Sequence, residues 1–387
     1  MPTTEMKNLL YRAALPLLSP SPRGQMTHVS AGQPLTQLHD YEKLLCRHHV
    51  LGATLLLEDG DRRASLHTSV SRPAHHAAEN TIYRVASITK MATALVTLSC
   101  IADGLFTLDT PVRPLLPDTA HASVLDGVTV RHLLSHTSGL TDTAAMDAAL
   151  REGRSYDDVL ADPDIRACKP GEQLIYTNFG FGLLGCLLEN ATGMCLPELF
   201  RARLFAPLGM RATLDASSLD EGKIMPISRV LPYKRGHDVT ITRLARKPLI
   251  EADPLRHFGH TAGAMYTDAP SLTNLLKLIH SRGLHDGRPL IPAALMDEMT
   301  RQQSATPTRR YGLGLVLLER PKLWPRRLLG HQGFAYGCVD GAFIEEETGR
   351  LVVFLNGGAS EAREGRLGLV NRDVLHWALA KEMPSWT

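Results

Sequence analysis

Apolar positions along the chain change period several times, and each change predicts an element. In "VLGATLLLEDGDRRASLHTSV", residues 50–70, two apolar runs flank Asp59-Gly60. That is the pattern of two strands joined by a tight turn. Residues 35–48, just before them, carry helical spacing. "IYRVA" reads as a further strand feeding an apolar helix from Ser87 to Ala102, which Asp103-Gly104 ends.

The middle of the chain is helix-rich. "VTVRHLLSHTSGL" predicts a short helix closed by Gly139, "SYDDVLAD" another, and "YTNFGFGLLGCLLENATG" a buried one. "LPELFRARLFAPLGM" also has helical spacing, whereas residues 215–258 lack a period and predict long loops or short strands. Thr267-Asp268-Ala269-Pro270 starts a helix before "SLTNLLKLI", with the proline in its first turn. "YGLGLVLLE", "VDGAFIEE" and "RLVVFLNGG" then predict antiparallel strands, and residues 365–381 a last helix. Strands at both ends with helices between them predict an α/β fold whose sheet is assembled from the two termini. The division is an N-terminal arm or short helix over 1–35, a first α/β part over 36–108, a mostly helical part with long loops over 109–257, and a second α/β part over 258–387.

Composition changes this picture little. The 387 residues are 44% hydrophobic and 21% charged, an ordinary globular balance. A net charge of +2 gives no reason to expect a nucleic-acid or membrane partner. No apolar run reaches the roughly 20 residues of a membrane span. Arg12 and Pro16 interrupt the N-terminal leucines, which makes a poor signal peptide, so a cytoplasmic protein is expected. The six cysteines are scattered without a C-x-x-C pair, which indicates neither a disulfide framework nor a zinc site. His48-His49 and His75-His76 lack further ligands at metal-site spacing, so no metal and no cofactor is expected.

Three short segments carry chemistry. Ser87-Ile88-Thr89-Lys90 is the one S-x-x-K in the chain, and its ends share a face of a helix N-terminus. Free backbone N–H groups and the dipole there favour negative charge, which suits a serine nucleophile. A lysine held in an apolar cleft can lose its proton or support another base. Tyr176-Thr177-Asn178 is the one Y-x-N and opens the glycine-rich helix. An ammonium beside Tyr176 would lower the phenol's pKa and let it act as a general base. Asn178 can accept from Lys90 and donate to a substrate carbonyl. His331-Gln332-Gly333 precedes "VDGAFIEE", and Gly333 would let substrate approach the backbone. His257-Phe258-Gly259 and His285-Asp286-Gly287 share the H-x-G form but not that position before a late strand pair.

In this order the three segments resemble the serine β-lactamase-like family of class C β-lactamases, D-alanyl-D-alanine carboxypeptidases, D-amino-acid peptidases, esterases and acyltransferases. "YRVASITKMATALVTLSCIADGLFTLDTPVRPLLP", "VTVRHLLSHTSGL", "GAMYTDAPSLTNLL" and "GHQGFAYG" extend the resemblance over residues 36 to 380. It implies a β-lactamase/transpeptidase-like fold, an antiparallel sheet flanked by helices plus a mostly helical inserted domain. It implies Ser87 as the acylated nucleophile, Lys90 as its activating partner and Tyr176 as general base and acid. Asn178, His331, Gly333 and Phe334 would contact substrate, and the backbone N–H groups of Ser87 and Phe334 would form the oxyanion hole. The expected activity is hydrolysis of a small ester, amide or D-amino-acid peptide, with acyl transfer or peptide cyclisation through the same acyl-enzyme as the alternative, and behind these a β-lactamase or a non-catalytic penicillin-binding protein.

The departures also matter. His331 stands where β-lactamases have K-T-G, so a fixed lysine charge for a β-lactam carboxylate is missing and efficient β-lactamase activity is not expected. Phe334 is bulky where small residues are common in the family. His132 and His136 read as structural. The basic stretch with Lys234, Arg235, Arg243, Arg246 and Lys247 reads as a solvated surface, with reception of an acidic substrate as the alternative.

Overall fold

A computed structural model describes residues 4–19, 26–32, 38–71, 74–231, 233–235 and 248–379. Its main sheet has nine strands: β1 (Met26–Gly32), β2 (Ala53–Asp59), β3 (Arg62–Val70), β4 (Ser304–Thr306), β5 (Arg309–Tyr311), β6 (Val316–Leu318), β7 (Leu328–Ala335), β8 (Cys338–Glu345) and β9 (Leu351–Asn356). Their order is β1-β3-β2-β9-β8-β7-β6-β5-β4, with every neighbouring pair antiparallel. The two ends of the chain meet where β2 pairs with β9, from Ala53 opposite Asn356 to Glu58 opposite Leu351.

Helices cover both faces of the sheet, which is why its central strands read as unbroken apolar runs rather than alternating ones. Along β9, Leu351, Val353 and Leu355 pack on one side with Leu272, Leu275 and Ile279 of helix α5 (Ala269–His280). Val352 and Phe354 pack on the other side with Tyr41 and Leu45 of α2 (Leu38–Arg47) and Val374 of α6 (Leu369–Leu379). The α5 side is continuous with the helical half of the molecule, including α3 (Thr89–Ala102) and α4 (Asn178–Thr192). Each fully buried leucine or phenylalanine there contributes about 1.5–3 kcal/mol.

Some expectations shift. The N-terminal stretch holds a helix, α1 (Thr4–Leu18), and also β1, which adds an edge strand beside β3. The helix begun in "VTVRHLLSHTSGL" spans only Val130–Leu134 and ends at Ser135, not at Gly139. His136 takes a positive φ of 58° directly afterwards, which a continuing helix does not allow. His331-Gln332-Gly333 lies inside strand β7 rather than ahead of the strand pair. The last helix is shorter than 365–381, beginning at Leu369. Of the basic stretch, Lys234 and Arg235 fall in a short strand paired with Ser228–Val230, and Arg243, Arg246 and Lys247 lie outside the described residues.

The glycine-rich helix α4 has a packing reason. A Cβ on Gly182 would sit 1.8 Å from the Phe258 carbonyl oxygen, so only glycine lets residues 258–262 press against the helix. That segment is pinned between helices. Thr261 Oγ1 donates to the Phe181 carbonyl at 2.7 Å, and Thr93 Oγ1 of α3 donates to the Thr261 carbonyl at 2.7 Å. Gly182→Ala is therefore expected to destabilise the protein by about 1–3 kcal/mol, the range for overpacking a filled core. A urea unfolding midpoint equal to wild type would contradict this packing.

Candidate active site

Ser87 sits in a 3-10 turn, Ala86–Ile88, that runs directly into α3. Ala86 is held at φ +45°, a left-handed conformation costing a non-glycine residue about 1–3 kcal/mol. Neighbouring contacts over-determine the turn. Val85 N–H donates to the Met265 carbonyl at 3.0 Å, and Thr89 Oγ1 donates to the Ala86 carbonyl at 2.6 Å. Ser87 remains partly open to solvent while its neighbours Ala86 and Ile88 are buried.

Lys90, three residues on, is fully buried. Its Nζ lies 3.1 Å from Ser87 Oγ, 2.9 Å from Asn178 Oδ1 and 2.7 Å from the Ala262 carbonyl oxygen. Burial pulls its pKa down from 10.5 to about 7, against the charge of Asp142, which pushes it up. Its place at the N-terminal end of α3 further disfavours a cation. Near neutral pH a large fraction of Lys90 is thus the free amine.

Tyr176 donates its hydroxyl hydrogen to Ser87 Oγ at 2.9 Å. The expected lowering of its pKa is reversed. Burial raises it first of all, and the charge of Tyr311 adds to this, against the hydrogen bond to Ser87 and the Arg366 guanidinium. Loss of hydration on burial outweighs the nearby positive charge. His136, fully buried, stacks on Tyr176 with ring centroids 4.3 Å apart, and its burial holds it neutral. It accepts a long hydrogen bond from Thr177 N–H at Nδ1, 3.4 Å away, and so belongs to the wall behind Tyr176. His132 instead forms a capping box with Thr129 at the start of its helix.

Asp142 was missed by the sequence reading. Its carboxylate accepts from Thr177 Oγ1 at 2.7 Å, from Asn178 N–H at 2.8 Å, from Phe179 N–H at 2.9 Å and from Asn178 Nδ2 at 2.9 Å. It satisfies the first free N–H groups of α4 and suits the positive end of that helix. By holding the amide nitrogen of Asn178 it also turns Oδ1 toward Lys90. No local pattern marks this aspartate, because its partners lie some 36 residues downstream.

The third segment approaches from the sheet. The pairing of β7 with β6 ends at Gly330, leaving residues 331–335 paired only with β8 on one side. A Cβ on Gly333 would lie 2.3 Å from the Val85 carbonyl oxygen, so glycine is what lets β7 run along the Ser87 turn. His331 is 3% exposed, with its ring centroid 6.3 Å from that of Tyr176. Burial and the Lys90 charge push its pKa down to about 3. Its Nδ1 lies 2.7 Å from the Gln332 carbonyl oxygen, which assigns the proton to Nδ1 and leaves Nε2 a buried acceptor without a partner. Phe334, opposite Val339 in the ladder, lies under the guanidinium of Arg363 at 3.8 Å. Ser87, Lys90, Tyr176 and Asn178 are thus joined by direct hydrogen bonds, and His331 and Gly333 line the same place. Among the described residues no cluster of His, Cys, Asp and Glu could hold a metal ion.

The fold defines a class, and comparison with known proteins agrees. The Beta-lactamase family model matches residues 35–374, so the chain belongs to that family. It is 28% identical over 339 residues to esterase EstB of Burkholderia gladioli, covering 77% of this chain and 83% of the esterase. It is 33% identical over 188 residues to penicillin-binding protein 4 of Amycolatopsis lactamdurans, covering 45% of this chain and 47% of the relative. The chain thus spans about half the length of that relative. A crystal structure of a D-stereospecific amidohydrolase from Streptomyces sp. shares the fold, with TM-score 0.64 and 24% identity over 86% of this chain and 95% of that one.

Asp142→Ala removes the acceptor for the α4 N-terminus and is expected to cost about 1–2 kcal/mol of stability, the upper range for a lost cap. Denaturant unfolding measures it, and an unchanged stability would show that water replaces the carboxylate without loss.

Proposed function

We propose that the protein is a serine acyl-enzyme hydrolase of small esters or amides, with D-amino-acid peptides among the amides. The observation that carries this is Ser87 Oγ held between the buried Lys90 amine at 3.1 Å and the Tyr176 hydroxyl at 2.9 Å. As a free amine, Lys90 has two N–H donors and one lone pair. The donors are taken by Asn178 Oδ1 and the Ala262 carbonyl, so the lone pair is left for the Ser87 hydroxyl hydrogen.

Lys90 accepts the Ser87 proton as Oγ bonds to the substrate carbonyl carbon, and the carbonyl oxygen becomes the oxyanion. The backbone N–H groups of Ser87 and Phe334 are the donors assigned to it, each worth about a hundred- to a thousandfold in rate. Tyr176, un-ionised, donates to Oγ in the resting site. When the tetrahedral intermediate collapses, it passes its proton to the leaving oxygen or nitrogen and regains one from the Lys90 ammonium. Water then attacks the acyl-enzyme, its proton moves to Lys90, and Ser87 leaves protonated. Asn178 holds the substrate carbonyl, and where the substrate is an amide the Nε2 acceptor of His331 takes its N–H. The directions of the pKa shifts support base duty for Lys90 and acid duty for Tyr176, in place of a phenolate base.

Ser87→Ala is expected to abolish both turnover and covalent labelling by a serine-reactive fluorophosphonate, read by intact mass. Adduct formation in that variant would refute the nucleophile. Lys90→Met should lower kcat/KM for an aryl ester by roughly a hundred- to ten-thousandfold. Because the free amine is the active form, the labelling rate should rise as pH increases through about 7, where Lys90 loses its proton. A rate flat across that range would remove Lys90 from the base role. An added amine or alcohol that captures the acyl group in place of water would redirect the reading to acyl transfer.

Among the described residues no single helix is long and apolar enough to cross a membrane. A cytoplasmic location is part of the proposal, and cell fractionation tests it.

A further inference from the structure

The walls of the site hold two cations without a carboxylate partner among the described residues. The Arg366 guanidinium lies over the Tyr176 ring, 4.9 Å from its centroid, and is exposed. Tyr176 itself touches Ser87, so Arg366 stands one phenol ring from the nucleophile. Arg309, on β5, belongs to the same group. It repels Arg366, lies near Tyr311, and its Nε is buried without a partner. Tyr311 in turn faces Tyr176 at a centroid distance of 6.1 Å. Among the described residues neither Arg309 nor Arg366 has a carboxylate partner. Arg320 and Arg372, by contrast, share Glu364.

This arrangement is built rather than left loose. Arg366 is carried by a two-stranded turn, Arg363–Glu364 against Leu367–Gly368. Gln332, between His331 and Gly333, ties that turn to the site. Its Nε2 donates to the Arg366 carbonyl, and its Oε1 accepts from Gly368 N–H at 3.0 Å. The nearby acid, Asp142, is committed to the α4 N-terminus and Asn178. Two guanidiniums near enough to repel each other beside the Tyr176–Tyr311 wall, one with a buried unpaired donor, are stabilised by an anion bridging them.

We propose that Arg366 and Arg309 form a subsite for a carboxylate on the substrate, on the Tyr176–Tyr311 wall, so that the site selects anionic over neutral esters or amides. This rests on Ser87 being the acylated residue. Positive charge for the substrate then comes from these two arginines and not from the third segment, where His331 is neutral.

The test compares matched probes. Mono-4-nitrophenyl glutarate and 4-nitrophenyl pentanoate place a carboxylate or a methyl at the far end of the acyl chain. 3-Acetoxybenzoate and phenyl acetate differ by a carboxylate in place of hydrogen on the leaving group. In at least one pair the anionic member should have the higher kcat/KM, by about tenfold, as expected for a charge-assisted contact. Arg366→Gln should erase that ratio, Arg366→Glu should invert it, and raised salt should shrink it in the wild type. Binding is read separately in Ser87→Ala, by calorimetry with glutarate, and should weaken at least tenfold on adding Arg366→Gln. Equal kcat/KM within both pairs, or glutarate binding indifferent to Arg366, overturns the subsite. Arg366-dependent glutarate binding in a protein that hydrolyses none of the four esters sustains the subsite and overturns the hydrolase reading instead.

Discussion

Burying the amine of Lys90 is the constraint on which the site depends. Moving its pKa from 10.5 to about 7 corresponds to roughly 5 kcal/mol against the charged form. The fold accommodates this by surrounding Nζ with three oxygens, and each oxygen reaches it by a separate structural device. Ser87 is placed by a strained turn at Ala86. Asn178 is oriented by Asp142 across its amide nitrogen. The Ala262 carbonyl arrives on a segment that can enter only because residue 182 of α4 is glycine.

The sheet contributes the other wall under a similar constraint. Strand β7 can lie beside the Ser87 turn because Gly333 has no Cβ to strike the Val85 carbonyl. The nine-stranded frame fixes its position, with β8 and β9 buried on both faces and clamped between α5 on one side and α2 and α6 on the other. A sheet closed by pairing β2 with β9 therefore couples the first third of the chain, which supplies Ser87 and Lys90, to the last, which supplies His331.

What was legible in the sequence follows from this. Ser87 and Lys90 are three residues apart on one helical face, and Tyr176 and Asn178 flank a helix start, so local spacing announces both pairs. Their partners were not legible, since Asp142 and the Ala262 carbonyl become neighbours only through long-range packing. A backbone carbonyl leaves no mark in composition at all. Strand β7 was read as a lead-in rather than a strand because His331, Gln332 and two glycines interrupt the apolar pattern. The sign of the Tyr176 shift was misjudged for a related reason. Spacing reveals the adjacent amine but not the depth of burial, and burial decides the direction.

The directions of the pKa shifts around Ser87 share one consequence. Lys90, His136 and His331 move down and Tyr176 moves up, each with loss of hydration as the largest cause. Near neutral pH the floor of the site therefore carries little fixed charge. An oxyanion forming there is stabilised by backbone dipoles and the helix α3 N-terminus, whose strength does not vary with protonation. Recognition of a charged substrate has to come from beyond that floor, because a permanent cation within it would hold Lys90 below useful basicity. Arg366, exposed and stacked over the Tyr176 ring, is far enough out to keep its own hydration and near enough to act on what Ser87 attacks.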